Sequence, residues 1–134
     1  MSDHHLRPRA AGAVTAALLV LAFAAPARAQ VTTDVTDWAL SETTSTYDNG
    51  ATQFHVSSSG GGPVDYRWLD SDITKTTVIS GNSCIDFGLY GKSTFDGGDT
   101  SYHRLFSGYD GLCFVLRGRT NSGTTIPHDG RVRR

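Results

Sequence analysis

Residues 93–111, STFDGGDTSYHRLFSGYDG, gather Asp96, Asp99, His103 and Asp110 into one short stretch. Carboxylates and an imidazole are the groups that hold a metal ion or move a proton. A calcium loop needs oxygens at alternate positions and a carboxylate that closes the ring. The segment DGGDTSYHRLF has aspartates at 96 and 99 and no glutamate downstream, so the EF-hand spacing is absent. A calcium site built from scattered loop aspartates (Asp96, Asp99, Asp70 or Asp72) stays eligible. Asp-Gly pairs form tight turns on their own account, because Asp bonds its own backbone and Gly accepts a positive φ. Turns are therefore the preferred reading, with no cofactor.

Catalytic chemistry has less to stand on. His55, His103 and His128 fall on three separate segments. A His55/His103 acid–base pair with Lys75 or Arg104 on a phosphate would suit a small secreted ribonuclease, but nothing in the spacing brings them together. The strained G-x-S-x-G turn of a serine nucleophile is missing, and beyond Glu42 a paired-carboxylate glycosidase would have to be made from aspartates.

The aromatic residues say more. Trp38, Tyr47, Tyr66, Trp68, Tyr90, Tyr102 and Tyr109 are amphipathic rings. When exposed, such rings stack on sugars while neighbouring Asp and Arg bond the hydroxyls. Trp38, Tyr90, Asp99, Tyr102, Arg104 and Tyr109 are the candidate binding residues, and Tyr102, Tyr109, Asp99 and Arg104 are expected to form one patch. Trp68 alternates with Val64 and Tyr66, as a core residue should.

The elements that must position these groups are short strands. Residues 52–58 (TQFHVSS), 64–69 (VDYRWL), 84–90 (CIDFGLY), 101–106 (SYHRLF) and 112–120 (LCFVLRGRT) alternate or are rich in β-formers, and 73–79 (ITKTTVI) is β-branched almost throughout. With 35–40 (VTDWAL) the count is about seven. Turn signals at 48–50, 60–63, 81–82 and 121–123 punctuate them. No segment after residue 30 keeps helical periodicity for more than two turns. The expected fold is all-β, a small antiparallel sandwich or barrel. Its inward set is Phe54, Val56, Trp68, Ile79, Phe87, Leu89, Phe114 and Leu116. The last segment reads as an edge strand, since Pro127 has no N–H to donate to a ladder.

The first residues are a targeting segment in character. Arg7 and Arg9 precede an apolar run from Ala10 to Pro26, and Ala27-Arg28-Ala29 presents small residues where a signal peptidase cuts. Residues 1–29 are thus expected to be a cleaved signal peptide and 30–134 a single β domain, secreted or periplasmic, with no stable membrane anchor after cleavage. In that compartment Cys84 and Cys113 read as one disulfide. Closing a loop of about 30 residues contributes roughly 3 to 4 kcal/mol in the chain-entropy account.

Charge is segregated along the chain. Four basic and eleven acidic residues stand in 30–116, whereas Arg117, Arg119, Arg131, Arg133 and Arg134 face Asp129 alone after it. Such a gradient can attract an anionic polymer or fold back on the acidic body. The preferred reading is exposed arginines on a terminal edge strand, where they discourage edge-to-edge pairing. A signal-like start followed by a Thr/Gly-rich, single-disulfide β domain that favours arginine over lysine has the general look of a small exported bacterial protein. That likeness is compositional and assigns no site residues. These features lead to a small exported binding protein without catalysis of its own. Its expected partner is an extracellular or cell-wall polysaccharide met through exposed aromatics. The alternative is another secreted protein, such as a protease, met by the loop SGNSCIDFG around Cys84. A small nuclease or hydrolase is third, and no nucleic-acid partner is expected.

Overall fold

The structure is a computed structural model that describes residues 30–48, 53–82 and 87–134. The expected signal peptide, Cys84 and the centre of its loop lie outside the described residues. Nine strands are found among the described residues: β1 (Thr32–Leu40), β2 (Ser45–Thr46), β3 (Phe54–His55), β4 (Gly62–Trp68), β5 (Thr76–Asn82), β6 (Gly88–Phe95), β7 (His103–Gly108), β8 (Cys113–Thr120) and β9 (Ile126–Arg133). All pairings are antiparallel. One sheet has the order β1-β9-β4-β7 and the other the order β2-β8-β5-β6, with β3 also on β8.

Alternation in β4 sets the inside and the outside of the first sheet. Val64, Tyr66 and Trp68 are fully buried, while Asp65 and Arg67 project the other way. Between the sheets the core is aromatic: Tyr66 meets Trp68 edge-on at 4.9 Å, Trp38 lies 5.6 Å from Tyr47, and Phe54 stacks on Phe114 at 5.4 Å. Each such ring buries a large area and adds a directional contact. Phe54, Val56, Trp68, Phe114 and Leu116 are inside, as their alternation predicts.

Three parts of the sequence reading are corrected. In β5 the inward residues are Thr76, Val78 and Ser80, and Ile79 turns outward. A β-branched run has no period of its own, so its neighbours decide. Here Trp68 Nε1 donates to Thr76 Oγ1 at 2.7 Å, which draws Thr76 inside. In β6 Leu89 is 63% exposed and Tyr90 takes the place against Phe106 at 5.1 Å. The cause is a register shift between Ser80 and Gly81: Ser80 pairs with Gly91 but Gly81 pairs with Leu89, so the parity of the strand flips at Tyr90. Phe87, also expected inside, is half-buried with the Arg117 guanidinium 3.8 Å over its ring.

The third correction concerns β9, which is not an edge strand: it lies between β1 and β4. Pro127 is tolerated because it pairs with Ala39 of β1, beyond the Trp68/Gly130 pair where the β4–β9 ladder stops. The edge is instead β1. Its register shifts between Val35 and Trp38, with Asp37 in the left-handed region at φ 52° and its N–H donating to Asp129 Oδ1 at 2.9 Å. Such a bulge blunts an edge against further pairing.

Along the opposite side the edges of the two sheets, β6 and β7, come together. Gly91 makes this possible, since a Cβ there would run into the Leu105 carbonyl.

Candidate functional site

The outward residues of the β1-β9-β4-β7 sheet form two rows. In one row Asp34 of β1 pairs with Arg131 of β9, and Arg131 pairs with Arg67 of β4. In the next, Arg133 of β9 pairs with Asp65 of β4, and Asp65 with Arg104 of β7. Neighbouring strands are about 4.8 Å apart and alternate residues about 6.6 Å, so the groups of both rows fall within reach of one ligand.

Asp65 is the organising group. It is only 6% exposed, and it accepts from Arg104 Nε at 2.7 Å on Oδ1 and from Arg133 Nη2 at 2.9 Å and Nε at 3.2 Å on Oδ2. Charge-assisted bonds of this kind fix a guanidinium in orientation as well as position. Arg133 in turn lies over the Tyr102 ring at 3.9 Å, and Arg67 approaches the same ring at 5.4 Å. Arg131 donates to Asp34 at 2.8 Å. That bond is the main cause holding the Arg131 guanidinium above its ordinary pKa, with a smaller contribution from Tyr102. Two tail arginines have thus folded back on acidic residues of the body.

Of the residues picked out from sequence, Tyr102 and Arg104 belong to this face. The other two members of the expected patch, Asp99 and Tyr109, do not, nor do the remaining candidates Trp38 and Tyr90. Trp38 is 3% exposed, packed among Tyr47, Tyr66 and Trp68, and is unavailable to a ligand. Tyr109 is 70% exposed in the turn after β7, at the far end of that strand from Tyr102. Tyr90 is half-buried against Phe106, and its phenol is pushed up, first by burial and then by Tyr109. Asp99 serves a different cluster. Asp65, Arg67, Arg131, Arg133 and Asp34 were missed as site residues. Their signal was the outward half of VDYRW and RVRR, readable only once β9 is known to lie beside β4.

The second cluster answers the question posed by residues 93–111. Asp99 Oδ1 accepts from the Ser101 hydroxyl at 2.6 Å and the Ser101 N–H at 2.9 Å, and Oδ2 meets His103 Nε2 at 2.7 Å. These bonds, the Ser101 hydroxyl foremost, then the Ser101 N–H and His103, lower the Asp99 carboxyl from its ordinary 3.8 to about 2. With Nε2–H donated to Asp99, His103 Nδ1 accepts from Ser93 Oγ at 3.0 Å, and the ring lies 4.0 Å from that of Phe95.

A serine, an imidazole and a carboxylate in a line invite comparison with acyl-transfer triads. Ser93, however, is mid-strand opposite Val78. In a strand the N–H groups lie in the plane of the sheet and the side chains stand out of it, so adjacent amides do not form an oxyanion hole around Oγ. The line of bonds ties β6, β7 and the turn between them.

His103 is far from the other histidines. His55 pairs with Cys113 at the start of β8, at the opposite end of β7, on the order of 16 Å of strand away. His128 is buried with Nδ1 3.4 Å from Asp70. The acid–base pair weighed from the sequence is therefore not assembled. Among the described residues no three His, Cys, Asp or Glu side chains group as metal ligands.

Fold and site together define a two-sheet, all-β protein with an ordered arginine–aspartate–tyrosine face. Searches of protein families, curated proteins and solved structures find no match for this chain.

Proposed function

We propose that this chain is an exported binding protein that holds an extracellular or cell-wall polysaccharide on the outer face of the β1-β9-β4-β7 sheet. The observation that carries the reading is the fixed guanidinium array around Tyr102, with Arg133 at 3.9 Å from the ring and Asp65 clamping Arg104 and Arg133. Donors and acceptors already locked in place lose little entropy when a ligand takes them up. A strand face suits an extended polymer, which can lie across several strands at once. Because Arg133 covers a face of Tyr102, polar bonding carries more of this reading than ring stacking. Export rests on the character of residues 1–29, and a Cys84–Cys113 disulfide belongs to the same proposal.

The test is depletion of purified protein by a panel of insoluble polysaccharides, peptidoglycan included, at low and high salt. Retention on a polysaccharide, lost in Asp65→Ala protein that remains folded, is the expected result. Retention on none of them overturns the reading and favours a protein partner. That second reading is supported by Leu89 and Tyr109, large groups 63% and 70% exposed that offer apolar contact.

A further inference from the structure

We infer that the ligand of this face is acidic, a uronate-type polysaccharide whose carboxylates bind between Arg67 and Arg131. The inference rests on the reading of the outer face as a glycan site and adds the chemistry of the ligand.

Arg67 and Arg131 stand directly opposite each other on β4 and β9. Like charges in that relation destabilise a sheet. Arg131 is compensated by Asp34, and Arg104 and Arg133 share Asp65. Arg67 has no carboxylate within ion-pair distance among the described residues, and its Nε is buried without a hydrogen-bond partner. A buried donor left unpaired costs free energy, more so on a charged group.

Over the two rows four guanidiniums meet two carboxylates, although the whole chain carries a net charge of −1. The missing anion is therefore specific to this face. A third carboxylate seated on the outer side of the Arg67 guanidinium would continue the arginine–carboxylate pattern that Asp34 and Asp65 already set. Arg67 is held close to the Tyr102 ring, so it is presented rather than free to swing away.

The experiment is calorimetric titration of the purified protein with polygalacturonate, a neutral galactan and dextran sulfate. It is run on wild type, Arg67→Gln and, as a control on the other sheet, Arg119→Gln. Polygalacturonate should bind best, weakening roughly ten- to hundred-fold in Arg67→Gln and little in Arg119→Gln. The melting temperature of Arg67→Gln should stay level or rise, because the substitution relieves the Arg67/Arg131 repulsion. A purely structural arginine would give the opposite, and a fall of several degrees would overturn the inference. Equal binding of the galactan, unchanged in Arg67→Gln, overturns the acidic ligand while leaving the glycan reading in place. Preference for dextran sulfate, whose anions are sulfates alone, overturns the carboxylate. Binding of none of the three, with no polymer of the depletion panel retained either, overturns both.

Discussion

Asp65 does at residue scale what no other side chain of the outer face does: one nearly buried carboxylate orients two arginines from two different strands. Asp65→Ala should therefore cost about 3 kcal/mol, the low end for breaking a buried charge pair, since Arg104 and Arg133 remain partly solvated. Urea unfolding would measure it. Asp99 acts through titration. Its carboxyl is near 2 in the folded chain against 3.8 ordinarily, so between those values the unfolded chain binds more protons and stability rises with pH. The contribution is complete above about pH 4 and disappears as the pH falls towards 2. Melting temperatures followed from pH 5 to pH 2 should fall less steeply in Asp99→Asn than in wild type.

At the scale of elements, β5 shows how a polar contact can set the face of a strand. Thr76 lies inside because its hydroxyl receives the Trp68 indole N–H. Thr76→Val keeps the shape and removes the acceptor, leaving that N–H buried and unpaired, so a loss of about 1 to 3 kcal/mol is expected from chemical denaturation. A gain would mean that apolar burial matters more here than the bond. The bulges in β1 and β6 belong to the same scale, since each inserts a residue and changes which side chains reach the interior. Tyr90 is placed against Phe106 by one of them.

On the scale of the whole molecule, the ends of the described chain meet. Val31 and Arg134 exchange backbone hydrogen bonds of 2.9 and 3.0 Å, and β9 is flanked by β1 and β4. Deleting residues 126–134 would therefore remove an interior strand and leave β1 without its neighbour. The truncated chain should lack a cooperative thermal transition by circular dichroism; a modest drop in melting temperature would instead be the behaviour of an edge strand. The same placement brings Arg131 and Arg133 beside residues more than 60 positions away, Asp34 and Asp65.

Local pattern in the sequence determined the all-β class, the inward set of β4 and β8, and Tyr102 and Arg104 as surface residues. Alternation expresses itself within one strand, and turn chemistry within a few residues, so neither needs the rest of the chain. The tertiary structure decided what depends on which strands become neighbours and in what register. The bulge opposite Gly81 turned Leu89 outward, Trp38 was taken into the core by the rings around it, and the tail became the centre of a sheet. The candidate site is of the second kind. Its arginines and aspartates come from four strands scattered through the chain, and a cross-strand charge array exists only when pairing order and register are both fixed.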